Sequence, residues 1–457
     1  MDNTDLREKV KSVKAKIEKL IEQGSIDEAR AALERFEEKM PGDQDICSMR
    51  AVIHIVEGDI DKAESILLDG LTNDSIHFDL LYNLAYIYEQ RGQLQQAADF
   101  YCKAGTAATD ASKKSSVDDA ITRLKLSDSS IQVIEKDRIV FFVKAGMDSF
   151  LGDIIQGLSD DYFVRKIVVS DFKQIDEGME WADVCWFEWC DELIVYGSRL
   201  PLAQSKKIVC RLHRYEVFTD NPGKVVWDNV DKLVIVTRHL QDILEVNYPG
   251  ISGKVEMFVI ENGVDVDKFT FKDRSRGFNL AMVGYIHSRK NPVLLLQITK
   301  KLVDFDKRYK LFIAGAFQEQ MVRMYWNYQV SRMGLEENVV FEGWQDDISS
   351  WLEDKNYLLS TSIHESFGYG IAEAMARGIK PVVYDFLYAN EIWDEEFLFS
   401  TVDEAVEAIL SKVYDSHKYR NFIEGKYSLF KQISKVHVLV DELLSFKKII
   451  DRVKDTR

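Results

Sequence analysis

Apolar positions along the chain keep two rhythms. Over the first quarter they return in a long unit. EQGSIDEARAAL, VEGDIDKAESIL and QRGQLQQAADFY stand in register, with Gly24, Gly58 and Gly92 34 residues apart. Ala29, Ala63 and Ala97 keep the same step, as do Leu33, Leu67 and Tyr101. A period of this length predicts stacked helix pairs. Small residues let the paired helices approach, and each glycine ends a first helix in the left-handed conformation that costs it little. The third copy carries Leu81, Leu84, Ala85 and Tyr88 on its first helix, then Ala97, Tyr101 and Ala104 on its second. GTAATDASKKSSV (105–117) reads as a linker or loose turn, and VDDAITRLKL as a helix leading onward.

Beyond residue 136 the rhythm shortens. RIVFFVKAG, VRKIVVS, DVCWFEW, KIVCRLH, DKLVIVT and VEMFVIENG are brief apolar runs separated by helical stretches. FNLAMVG, YKLFIAG, NVVFEG, YLLSTS and KPVVYDF form a second series. Such runs predict parallel strands covered by helices on both faces, hence an α/β class with two doubly wound, Rossmann-like domains. The two series meet near ENGVDVDKF, where Asn262-Gly263 reads as a turn. Ligands of open α/β sheets bind beyond the carboxyl ends of the strands. That selects the loops Lys144–Ser149 and His213–Glu216 in the first series, and Tyr285–Asn291, Ala316–Gln320, Trp344–Asp347 and His364–Gly370 in the second.

Bulk properties narrow the classes. A chain of 457 residues is too long for one core. Its net charge of −17 argues against nucleic acid as the main partner. The five cysteines, Cys47, Cys102, Cys185, Cys190 and Cys210, form no Cys-x-x-Cys pair and read as free thiols. No run of 18 apolar residues occurs, so no membrane span is expected, and the charged start is unlike a signal peptide. A cytoplasmic location is expected.

The strand-end loops carry the candidate chemistry. In HESFGYGIAEAMA, Gly368 and Gly370 clear the start of a helix, whose amides favour a phosphate or diphosphate. Glu373 can accept from ribose hydroxyls and Glu365 can reach a sugar hydroxyl; two surface acids on a capped helix is the plainer reading. Arg289 and Lys290 in GYIHSRKNP follow the strand that Gly284 ends, and can neutralise charge on a leaving diphosphate. His213 ends a strand-like run, where a packing histidine is the alternative; Gly146 follows the first strand of its series and lets substrate approach the backbone. The Asp-x-Asp triplets at 59–61, 265–267 and 304–306 lack a strand-end context, and the eight histidines show no metal-ligand spacing.

Residues 10–111 resemble the tetratricopeptide repeat. Residues 137–430 resemble glycosyltransferase family 4, retaining enzymes of the GT-B fold, through IENGVDVDKF, GYIHSRKNPVLLLQ, LFIAGAF, MGLEENVVFEGWQDDISSWL and the Glu-x7-Glu motif ESFGYGIAEAMARGIKPVV. The resemblance implies domains at 1–115 (repeats), 116–136 (linker helix), 137–268 (acceptor side), 269–430 (nucleotide-sugar donor side) and 431–457 (a last helix crossing back to the first GT-B domain), with the two domains facing a cleft. It implies retaining transfer of a sugar from a UDP- or GDP-sugar to a protein or glycan, with no metal or other cofactor. His213, Glu365 and Lys290 would serve catalysis. Glu373, Arg289, Gly284, Ser366, Phe367, Gly368, Tyr369, Gly370 and Gly146 would hold the donor, with Trp344 and Gln345 lining the base pocket. Tyr285 departs from the family, which often has arginine there. The repeats would recruit a protein partner, the acceptor or a second copy. A non-catalytic scaffold with a degenerate transferase domain is the competing class.

Overall fold

The computed structural model describes residues 3–37, 43–72, 74–108, 110–133 and 136–455. The final residues of both the 116–136 helix and the 431–457 helix, among others, lie outside that set or at its border. The chain divides into two compact units, Met1–Glu188 with Leu200–Ile208, and Trp189–Arg199 with Val209–Arg457.

In the first unit, helix pairs follow the repeat: Asn3–Glu22 with Ile26–Glu37, Gln44–Glu57 with Ile60–Gly70, and Phe78–Gln90 with Leu94–Thr106. Gly24, Gly58 and Gly92 take φ of 73°, 83° and 74° between the paired helices. Ala29, Ala63 and Ala97 are wholly buried where helices touch. A seventh helix, Ala111–Ser127, takes up much of the polar stretch expected as a linker. Its start is fixed by Asp110, whose side chain accepts from the Lys113 amide, a cap that outweighs the weak helix preference of the serines. This helix also begins earlier than the 116–136 boundary and stops at Ser127.

Among the described residues, twelve strands form two parallel six-stranded sheets. The first holds β1 (Arg138–Val143), β2 (Phe163–Val168), β3 (Val184–Phe187), β4 (Lys207–Leu212), β5 (Lys232–Ile235) and β6 (Glu256–Val259), in the order β2-β1-β3-β4-β5-β6. The second holds β7 (Asn279–Val283), β8 (Lys310–Ala314), β9 (Val339–Gly343), β10 (Tyr357–Ser360), β11 (Lys380–Tyr384) and β12 (Leu398–Phe399), in the order β12-β11-β10-β7-β8-β9. Eleven of these match the apolar runs of the sequence; β12, two residues long, leaves no such trace. β3 and β5 are buried along their length and β1 from Ile139 onward, as strands covered on both faces must be.

Edge strand β2 is covered within its unit. Asp74 bridges to Ile167, and the Ser75 amide donates to the Lys166 carbonyl at 3.2 Å. Arg165 clasps Asp74 through two hydrogen bonds of 2.9 and 2.6 Å.

Asn262-Gly263 makes no turn. The Asn262 side chain accepts from Arg211 at 2.6 Å. A Cβ on Gly263 would lie 2.6 Å from the Leu429 Cα, so glycine serves here for close passage of the final helix, Leu429–Asp455. That helix returns to β5, where Glu442 accepts from Lys232 at 2.9 Å. Cys185, Cys190 and Cys210 are buried, and Cys47 and Cys102 are half-buried.

Candidate active site

In the second sheet the strand order reverses between β7 and β10, and a doubly wound sheet opens its ligand crevice at such a point. The loops that leave these two strands are the 284–291 and 361–368 segments. They are bound to each other. The Ile363 amide donates to the Arg289 carbonyl at 3.0 Å, and the Thr361 hydroxyl donates to the Lys290 carbonyl at 2.7 Å. At their junction Lys290 Nζ stands 2.5 Å from Glu365 Oε1. Glu365 is only 9% exposed. Burial pushes its carboxyl up, but Lys290 and then Arg289 outweigh burial and hold it below the ordinary carboxylate range.

Close backbone packing shapes this junction. A Cβ on Gly315 would lie 2.0 Å from the Gly284 carbonyl oxygen. A Cβ on Gly370 would crowd Val283 at 3.0 Å, so the helix Tyr369–Ala376 sits tight on the end of β7. Gly368, at φ 89°, turns the chain into that helix, whose N-terminal end makes a pole for negative charge. Phe367 points away into the core against Tyr427 and Trp393, so it offers the site only its backbone. Ser366 and Tyr369 are half-buried beside it.

Glu373, in the second turn, accepts no hydrogen bond from the described residues through its carboxyl. Burial pushes it up to about 7, against a small opposing pull from Lys268. A carboxylate left without donors on an inward helix can receive them from hydroxyls.

His213 follows β4 and lies nearly buried, its ring 4.1 Å from that of Trp189 and roughly parallel to it. Its amide donates to Glu216 Oε1 at 3.2 Å, and the Cys190 amide donates to the same oxygen at 3.3 Å. Burial raises Glu216 to about 8. The loop from His213 reaches the 361–368 segment through Phe218, whose ring lies 6.2 Å from that of His364.

Tyr285 and Trp344 pair their rings at 5.0 Å and stay largely exposed, side by side at the ends of β7 and β9. The Gln345 side chain donates to the Glu342 carbonyl at 2.8 Å. Gly146 follows β1 in the first unit, at φ 75° with open space around it.

Three side chains near these loops were not singled out from sequence: Trp189, His239 and His364. Each follows an apolar strand run, the same signal that picked out His213. His364 belongs to the motif itself, and its neighbour Glu365 drew the attention. The Asp-x-Asp triplets serve locally: Asp59 caps a helix, Asp265 accepts from the Asp267 amide, and Asp304 pairs with Lys300. Tertiary folding does gather Asp45, His77 and Asp79, which sequence spacing did not reveal. Lys14 already occupies that group, 2.7 Å from Asp45.

Residues 266–428 match the family described as Glycosyl transferases group 1, and residues 20–75 match a tetratricopeptide repeat family. The chain thus carries a group 1 glycosyl transferase domain with tetratricopeptide-like repeats ahead of it.

Among curated relatives, a GDP-mannose:cellobiosyl-diphosphopolyprenol alpha-mannosyltransferase of Xanthomonas campestris is 26% identical over 28% of this chain and 34% of its own length. A poly(glycerol-phosphate) alpha-glucosyltransferase of Bacillus subtilis is 22% identical over 49% of this chain and 33% of its own. The chain therefore spans about a third of the length of these relatives. Two solved structures share the fold. HepE from Anabaena in complex with UDP has TM-score 0.55 at 15% identity, over 67% of this chain and 100% of that one. A glycosyltransferase from Rickettsia africae has TM-score 0.52 at 16% identity, over 68% and 99%. The fold is of the GT-B type.

Proposed function

We propose that this chain is a retaining glycosyltransferase of family 4. It would take the sugar of a UDP- or GDP-sugar and pass it to a protein or glycan acceptor, without a metal. The observation that carries this reading is the Lys290–Glu365 pair at the reversal of the second sheet, beside the N-terminal end of the 369–376 helix. Without donor, each charge balances the other. A diphosphate arriving at the helix start would draw on Lys290 and the amides, a preorganised positive environment of the kind that stabilises a leaving phosphate. Released from Lys290, Glu365 would accept from a sugar hydroxyl. Glu373 would accept from the ribose, gaining the donors it lacks here.

His213, fixed from behind by Trp189 and through its backbone by Glu216, would contact the sugar near the reacting carbon. Arg289 adds positive charge from the same loop and would compensate for Tyr285. Tyr285 and Trp344 present two aromatic faces on which a base could stack, with Gln345 beside them. In a front-face substitution the leaving phosphate oxygen takes the acceptor's proton, so no separate side-chain base is required. GDP-mannose, in the name of the Xanthomonas campestris relative, supports a nucleotide-sugar donor in general terms. The repeats would recruit the acceptor or a partner.

Calorimetric titration with UDP, GDP and a panel of their sugars tests the reading. Glu373→Ala should weaken nucleotide binding about ten-fold while leaving the fold intact, in line with loss of a charge-assisted hydrogen-bond pair. A wild-type protein that binds no nucleotide would overturn it.

A further inference from the structure

His239 opens the helix His239–Asn247 that follows β5, and it is 0% exposed. Its ring lies 5.0 Å from that of Tyr388 at an interplanar angle of 6°, and 5.7 Å from that of His364, edge on. Phe218 and Phe386 hold His364 on other sides. Tyr388 takes φ 67°, an uncommon backbone state for a bulky residue, and its ring covers His239 from there.

This packing leaves an imbalance. Both ring nitrogens of His239, both of His364 and the Thr237 hydroxyl are buried and find no hydrogen-bond partner among the described residues. Native proteins leave few buried polar groups unpaired, because each loses its hydration without recompense. Five such atoms on three neighbouring side chains point to a partner that comes from outside the chain.

We propose, resting on the transferase reading, that Thr237, His239 and His364 form a subsite for the hydroxyl groups of a sugar. The chemistry selects that class. Burial, then His364, pulls His239 down to about 4, and burial also lowers His364. Both rings are therefore neutral at physiological pH, each with one N–H to donate and one nitrogen to accept. A hydroxyl likewise donates and accepts. A phosphate would demand protonated rings, which burial opposes. A cation would meet Arg289 and Lys290 around the adjoining Glu365. Because the nitrogens are closed off in this state, a hydroxyl reaches them as Tyr388 and Phe218 draw back, so the sugar replaces ring contacts with hydrogen bonds.

The test titrates the full chain, His239→Phe and His364→Phe with UDP, UDP-glucose, GDP and GDP-mannose, and with methyl glucoside in saturating UDP. Phenylalanine keeps the ring packing and removes the nitrogens. Affinity for UDP and GDP should stay within about two-fold, while a sugar-bearing ligand loses about ten-fold or more. Loss confined to the nucleotide sugars assigns the subsite to the donor sugar; loss confined to methyl glucoside assigns it to the acceptor. His239→Gln, which still donates and accepts, should recover part of the loss. If the variants bind every ligand as the wild type does, the rings only pack and the proposal fails while the transferase reading stands. If they lose UDP and GDP as well, they support the fold and the proposal fails. A wild type that binds no nucleotide ends both readings.

Discussion

Glu373 carries the clearest consequence of a single side chain. Its folded-state carboxyl titrates near 7, above its ordinary value, because burial disfavours the charge. The folded state therefore holds a proton that the unfolded chain has released. Stability from this group is full below the ordinary carboxylate range and declines as pH rises through about 7. Glu373→Gln should remove that decline, and thermal melts of both proteins from pH 5 to pH 8.5 read the difference. Equal slopes would show that the charge is compensated. Lys290, Glu365 and Glu373 were legible in the sequence because strand-end loops and a glycine-opened helix announce themselves in one dimension. His239 follows an apolar run in the same way, yet a histidine in an apolar setting ordinarily signals packing. Only its unpaired nitrogens, a fact of three dimensions, mark it out.

Among elements, the exits of β7 and β8 pack backbone against backbone. The Gly284 carbonyl occupies the space where a Cβ on Gly315 would lie, and that obstacle is backbone. Gly315→Ala should cost about 1–3 kcal/mol and lower the melting temperature. It should also weaken nucleotide binding, because Gly284 cannot yield without shifting the loop that carries Lys290. Normal binding with normal stability would contradict this account. The strands were readable because buried parallel strands are written as short apolar runs. The 111–127 helix was obscured because its opening is polar and small, and only the Asp110 cap reveals where it begins. Asn262-Gly263 carries the composition of a turn, but the pair serves Arg211 and Leu429, which lie far away in sequence.

At the scale of the molecule, the repeats of the first unit meet edge strand β2. Asp74 and Arg165 form a polar link there, and both are mostly buried. Asp74→Ala should leave the guanidinium unpaired and lower the local opening free energy by about 1.5–3 kcal/mol. Faster amide exchange at Ser75 and Lys166, with exchange in the second sheet unchanged, would register it. Unaltered exchange would mean that apolar packing alone holds the join. Nothing in the sequence pattern marks this link, since its members are 91 residues apart and neither belongs to the repeat consensus.

The cover over β2 also bears on solubility. A chain shortened to begin at residue 136 would uncover a row of unpaired amides and carbonyls along Phe163–Val168. Bare borders of that kind recruit strands from other molecules. The helical array therefore acts as a guard against clumping, whatever else it greets, and trimming it away in pursuit of a smaller protein would trade bulk for precipitation.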